Sequence, residues 1–425
     1  TNAPSILSKG KGAYVWSFDN SKFLDYGMGL RSVTLGYSNK EINESVIKEL
    51  KKGNNLTRPS LTELEAAEKI IDLLPNAEMV KFAKNGSNVT TAAVKLARAY
   101  TGKNKICVPI EQPFFSFDDW FIGSTKIKKG IPNEISRLTR HFNYGNIESL
   151  EKIFSEDNDI AAVILEPATT VMPCNKKCLA KLNYNSCCHN LVCEEQNFLK
   201  KVEILCKKNN TLFILDEMIT GFRFHLKGAQ HLFNVKPDLS TFGKGMANGY
   251  SLAALVGKKE IMDFGSINKT GMERTFLLST THGAEMISLR AFIKTTELYK
   301  KHDICNHLWE YGAKLKKLIN EITVFYDINQ FFKLEGLPIL MNYLTLNQGG
   351  ENDMKLRTLF NQEMIKNKVF MPWIAQSFAH NEKELLITEK ALYNTFKVLK
   401  KAIEEGPEKF LIDDKIIKPV FRKYN

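Results

Sequence analysis

From Leu212 to Gly257 the chain reads LFILDEMITGFRFHLKGAQHLFNVKPDLSTFGKGMANGYSLAALVG. It opens on a short apolar run that ends in Asp216 and Glu217, and passes a polar turn at Thr220 and Gly221. A second apolar segment then ends at Lys244, which lies between two glycines, and SLAALVG follows as a third. Apolar runs of this length bounded by turn formers read as strands buried on both faces. An acid at one strand end and a lysine at another could face a single ligand.

Further runs of the same kind lie near Met79, Lys105, Ile160 and Thr275, separated by helical stretches. Together they predict an α/β fold with a mainly parallel, seven-stranded sheet covered by helices. Ligands on such sheets bind at the carboxyl ends of the strands, and Ser87, Asp216 and Lys244 all fall at or just after those ends. The segment MVKFAKNGSNVTTAAVKLARAYTGK places Gly86 and Ser87 at a helix start, where free N–H groups and the helix dipole favour a phosphate; the serine could equally be a plain N-cap. A lysine and an aspartate so placed suit pyridoxal phosphate, since a lysine amine can hold its aldehyde as a Schiff base while a carboxylate keeps the ring nitrogen protonated.

With 425 residues, 44% of them hydrophobic, the chain can bury a large core, and two domains are expected. No apolar run approaches the roughly 20 residues that span a bilayer, so a soluble, cytoplasmic protein is expected, with no membrane partner. The net charge of +12 comes from scattered lysines. It fits a solvated surface or an anionic substrate better than nucleic acid.

The ordered segments DEMITGFR, KPDLSTFGKGMANG and SLAALVG closely resemble the signature of the class III aminotransferases, and within that class the glutamate-1-semialdehyde aminomutase branch. The resemblance runs from about Lys11 to the C-terminal region. It implies a pyridoxal-phosphate-dependent transferase of fold type I: an N-terminal segment (1–58) packing with the small domain, a large cofactor-binding domain (59–287), and a smaller α+β C-terminal domain (288–425). By the same resemblance Lys244 and Asp216 are catalytic, Gly86 and Ser87 hold the phosphate, Phe114 and Ile219 sandwich the ring, and Thr280 reaches the phosphate of the other subunit in a homodimer.

Several positions depart from the family. Where the aminomutase branch has an arginine that clamps the substrate carboxylate, this chain has Ile6, and Arg31 is the candidate replacement, although it also reads as an ordinary surface arginine. Phe114, Phe115 and Ser116 stand where Tyr, His and Gly are usual, and Phe115 and Phe117 are expected in a buried aromatic cluster. An insertion at about 173–194 carries Cys174, Cys178, Cys187, Cys188 and Cys193, five of the eight cysteines. In a reducing compartment it suits structural zinc, with disulfides or free thiols as alternatives. Cys107, Cys206 and Cys305 read as core.

The expected activity is amino transfer from a donor such as glutamate to a keto or aldehyde acceptor, for example a sugar intermediate of surface polysaccharide synthesis. Glutamate-1-semialdehyde 2,1-aminomutase is the alternative enzyme. A catalytically idle scaffold with a metal-held cysteine insert is the alternative of another class.

Overall fold

The computed structural model describes residues 3–174, 196–268, 270–271, 273–278, 281–420 and 422–423. Two compact units divide it: Thr1–Lys40 with Asn306–Val420, and a second unit containing Glu41–Cys305.

The first unit opens with strands β1 (Leu7–Lys11), β2 (Tyr14–Ser17) and β3 (Lys22–Asp25). β2 and β3 pair antiparallel, and Asn20 adopts a left-handed φ of 63° in the turn between them. The chain then makes an uncommon turn in which Met28, Gly29, Leu30 and Arg31 all have positive φ, from 41° to 69°. Three of these residues carry a Cβ, and each pays about 1–3 kcal/mol for that conformation. Asp25 holds the turn by accepting from Gly27 N at 2.6 Å, Met28 N at 3.0 Å and the Tyr37 hydroxyl at 2.7 Å, and Tyr37 in turn accepts from Gly29 N at 2.8 Å.

The second unit is built on one sheet whose strands are β4 (Met79–Ala83), β5 (Lys105–Pro109), β6 (Thr139–Phe142), β7 (Ile160–Leu165), β8 (Leu212–Asp216), β9 (Leu239–Phe242) and β10 (Ala253–Gly257). Their spatial order is β4-β10-β9-β8-β7-β5-β6, and only β10 runs antiparallel to its neighbours. Every residue of β7 and β8 is buried, as strands covered on both faces require. Complete burial of each large aliphatic side chain there is worth roughly 1.5–3 kcal/mol. Cys107, Cys206 and Cys305 are buried, as their sequence contexts predict.

The expectation of seven strands holds in number, but one lies elsewhere than predicted. The described residues around Thr275 form no strand: Phe276 is exposed, and Leu277 and Leu278 pack on the core from irregular backbone. The seventh strand is the edge strand β6, whose sequence TRHF turns its two middle residues outward and so lacks the continuous apolar run that marks a central strand.

The chain returns to the first unit with the antiparallel hairpin β11 (Phe332–Leu337) and β12 (Leu340–Thr345), and with β13 (Val369–Phe370) lying parallel to β3. The long helices Met354–Lys366 and Glu382–Glu405 share its apolar core. Among the described residues no helix is long and apolar enough to cross a membrane.

Candidate active site

Asp216 is the last residue of β8 and pairs in register with Thr241 on β9; Lys244 follows three residues beyond Thr241. The parallel pairing of two buried strands therefore delivers the acid and the lysine to the same end of the sheet. Asp216 is 3% exposed. Its Oδ1 accepts from Met218 N at 3.0 Å and from the Thr241 hydroxyl at 3.3 Å. Oδ2 takes no hydrogen bond from the described residues.

Burial pushes the Asp216 carboxyl up to about 6, against the opposing pull of the Met218 N–H, the Lys244 ammonium and the Thr241 hydroxyl. A buried carboxylate with a raised pKa and an unused oxygen favours a cationic or proton-sharing partner. Lys244 is half-buried and opens a one-turn 3-10 helix, Lys244–Ala247, with φ of 42°. A lysine in the left-handed region is uncommon, and such strain concentrates at functional sites.

The Gly86–Thr101 helix starts directly after β4. Its N-cap is Asn85, whose side chain accepts from Asn88 N at 3.0 Å. Ser87 is therefore not the cap. It lies inside the first turn, 5% exposed, with its Oγ accepting from Phe117 N at 3.0 Å, so the hydroxyl hydrogen remains available to an anion. Met218 links the two parts of the site: a Cβ on Gly86 would come within 3.1 Å of its Sδ, and one on Gly243 within 2.6 Å. Glycine at both positions lets the cradle, the loop after Asp216 and the turn before Lys244 pack on one thioether.

Phe114 is 48% exposed and meets Phe121 edge-on at 6.1 Å, leaving much of its ring uncovered. Ile219 is half-buried in the loop after β8. Phe115 is buried as predicted, whereas Phe117 is 58% exposed. The loop turns Phe115 and Ser116 inward, and the backbone bond from Phe117 to Ser87 leaves the Phe117 ring outside.

Arg31 belongs to the other unit, at the end of its left-handed turn. Thr280, Cys178, Cys187, Cys188 and Cys193 fall outside the described residues. Cys174 is half-buried, and among the described residues no group of three His, Cys, Asp or Glu side chains is placed to hold a metal.

The sequence reading missed Thr241, Met218 and Gly243. A usable signal was present for the first: Ser240 and Thr241 are polar residues inside a strand whose every residue is buried.

Glu217, next to the site, is fully buried for a structural reason. It accepts from Thr220 Oγ1 at 2.7 Å and from Ala229 N and Gln230 N, both at 2.8 Å. Burial raises its pKa to about 7 from an ordinary 4.5. The folded chain therefore binds a proton here that the unfolded chain has released, and stability falls as pH rises through this interval, by on the order of 3 kcal/mol from this group. Glu217→Gln is expected to flatten that fall, measured as urea midpoints of the cofactor-free protein at pH 5 and pH 8; an unchanged difference between the two pH values would refute the assignment.

The class-III aminotransferase family model matches residues 1–183 and 190–340. The chain belongs to the class-III aminotransferases. Among curated relatives, glutamate-1-semialdehyde 2,1-aminomutase of Francisella philomiragia is 30% identical over 413 residues, covering 91% of this chain and 90% of its own length. The same-named protein of Wigglesworthia glossinidia brevipalpis is 30% identical over 427 residues, with 94% and 92% covered. Among solved structures, the PLP internal aldimine form of the Sphingopyxis sp. MTA144 FumI protein superposes with a TM-score of 0.81 at 22% identity, covering 95% of this chain and 91% of that one. An omega-transaminase from Sphaerobacter thermophilus gives 0.79 at 19% identity, with 94% and 92% covered. The fold is that of the pyridoxal-phosphate-dependent transaminases, and the chain is an enzyme of this class rather than an idle scaffold.

The residues present fit that cofactor. A helix start with a buried serine hydroxyl suits its phosphate, a buried carboxylate with an open oxygen suits its ring nitrogen, and a lysine at the neighbouring strand end suits its aldehyde.

Proposed function

We propose that this aminotransferase moves an amino group from an amino-acid donor such as glutamate to a keto or aldehyde acceptor, in a ping-pong sequence. The observation that supports this most directly is the placement of Asp216 and Lys244 at the ends of two adjacent buried parallel strands, joined through Thr241. When bound, pyridoxal phosphate supplies an aldehyde carbon for the amine and an electron-accepting ring. Lys244 Nζ would anchor the cofactor and, once freed by the donor amine, would serve as the base that takes the proton from the donor carbon and the acid that delivers it to the cofactor's carbon. Asp216, whose Oδ2 is open, would keep the ring nitrogen protonated. Phe114 and Ile219 would offer apolar surface to the ring, while Gly86 N, Ser87 N and Ser87 Oγ would hold the phosphate. Thr280 of a second copy completes the phosphate contacts, so the working unit is a homodimer, in the cytoplasm.

For the acceptor we favour a sugar intermediate of the kind used in surface polysaccharide synthesis. Ile6 cannot make the bidentate contact of an arginine with a carboxylate, and Phe114, Phe115 and Ser116 replace the usual Tyr, His and Gly, removing a phenol and an imidazole. Arg31 is the candidate guanidinium for an anionic group on the substrate. The names of the 30%-identical relatives favour a second reading, glutamate-1-semialdehyde 2,1-aminomutase.

The test is an absorption titration of the purified protein with pyridoxal phosphate, followed by amino donors and then acceptors. A long-wavelength cofactor band that bleaches with glutamate and returns with an aldehyde- or keto-sugar supports the proposal. Rapid isomerisation of glutamate 1-semialdehyde without net amine exchange would establish the aminomutase instead.

A further inference from the structure

The loop carrying Phe114 is fastened to the cradle helix by side chains of this chain. Trp120 Nε1 donates to Thr91 Oγ1 at 2.8 Å, and Thr91 Oγ1 donates to Asp118 Oδ2. Ser116 Oγ accepts from Asp118 N at 3.1 Å and lies 3.1 Å from Thr91 Oγ1. The preceding residue, Thr90, donates through Oγ1 to the Phe115 carbonyl at 2.9 Å, and one turn before Thr91 the Ser87 Oγ accepts from Phe117 N. Ser116 is fully buried, and Trp120 is 5% exposed.

The Thr91 hydroxyl is thus both acceptor and donor, joining an indole N–H to a carboxylate over the second turn of the helix whose first turn contains Gly86 and Ser87. Phe114 has no phenolic hydroxyl to hydrogen-bond, so its ring contacts, such as that with Phe121, and the backbone around it set its position. That backbone is pinned immediately C-terminal to it, at Phe115, Ser116, Phe117 and Asp118. The same pinning fixes which lone pair of Ser87 Oγ is used, and hence where its hydrogen can point.

We propose that Thr91 is a positioning residue that locks the Phe114 loop to the phosphate cradle, so that ring surface and phosphate donors are presented to the cofactor as one rigid piece. The proposal rests on the reading of Gly86, Ser87 and Phe114 as cofactor contacts. It predicts an effect on cofactor affinity that is separate from fold stability. Thr91→Val keeps the shape but leaves the Trp120 N–H without its acceptor and Asp118 Oδ2 with only the longer bond from Ser116 Oγ at 3.3 Å. Losing hydrogen bonds to buried and charged groups is expected to weaken pyridoxal phosphate binding about tenfold, and Thr91→Ser should restore it to within about twofold.

The experiment titrates cofactor-free wild type, Thr91→Val and Thr91→Ser with pyridoxal 5'-phosphate, and repeats the Thr91→Val comparison in a Phe114→Ala background. Tryptophan fluorescence and the melting temperature of each cofactor-free protein are recorded alongside. The expected result is a weakened affinity for Thr91→Val, rescue by serine, altered tryptophan emission that is absent when the comparison is made in a Trp120→Phe background, and a smaller valine effect once Phe114 is removed. Equal affinity for all three proteins, or a lowered melting temperature with unchanged affinity, overturns the positioning role. A wild type that binds no cofactor overturns the underlying site assignment, which distinguishes the two failures.

Discussion

Lys244→Ala is expected to lower turnover at least about 10³-fold, because it removes both the amine that anchors the cofactor and the base that moves the proton at the reacting carbon. The two losses fall on one atom, Nζ, so no neighbour shares the role. Glutamate-dependent amino transfer measured under single-turnover conditions, with no external amine, is the decisive assay; near-normal rates would remove Lys244 from the mechanism. The fold should survive the change. Lys244 is half-buried at a turn with a φ of 42°, and alanine there gives up no core packing, although it keeps the unfavourable backbone. A melting curve comparable to that of the cofactor-free wild type is therefore expected alongside the lost activity.

Asp216→Asn should reduce turnover about 10²- to 10³-fold while leaving the site's shape intact. The amide can still accept from Met218 N, but it carries no charge to keep a ring nitrogen protonated. The same substitution is expected to stabilise the cofactor-free protein at pH 8. Burial raises the Asp216 pKa to about 6 from an ordinary 3.8, so holding the carboxylate ionised above pH 6 opposes folding, and an amide avoids that penalty. Below about pH 4 the acid is protonated whether folded or not, and the advantage should disappear. An activity loss without this pH-dependent stability gain would mean that Asp216 is already paired with a cation in the empty protein. Function and stability pulling in opposite directions at one side chain is what a site built for a charged ligand should show.

The site's two charged residues were legible because each lies at or just beyond the end of a short segment bounded by turn formers: Asp216 closes the apolar run Leu212–Leu215, and Lys244 follows Leu239–Phe242, in which only Ser240 and Thr241 are polar. Leu212–Asp216 and Leu239–Phe242 form as the pattern demands. β6 was not legible: four residues at a sheet edge, two of them facing outward, carry too little apolar signal. The segment around Thr275 misled for the opposite reason, since its apolar residues bury against the core without strand pairing. The serine at the cradle could be read as a cap or as an anion donor, and only the Asn85 side chain, bonded to Asn88 N, separates the two. The network around Thr91 was also invisible. Its members, at 91, 116, 118 and 120, lie on two elements whose mutual approach no local pattern encodes.

The antiparallel strand β10 also bears on the order in which the protein can be assembled. Among the described strands β4 pairs with β10 alone, and the register joins Ala83 to Ala253, 170 residues later in the chain. Closing so long a loop costs entropy before any contact repays it. During synthesis the strand that leads into the phosphate cradle therefore emerges early, and the edge that β10 will cover stays unpaired until the residues beyond Lys244 have been made. The cradle and the lysine thus become competent together, late in translation, and a nascent chain ending short of Ala253 has an open edge at β4 for chaperones or neighbouring chains to meet.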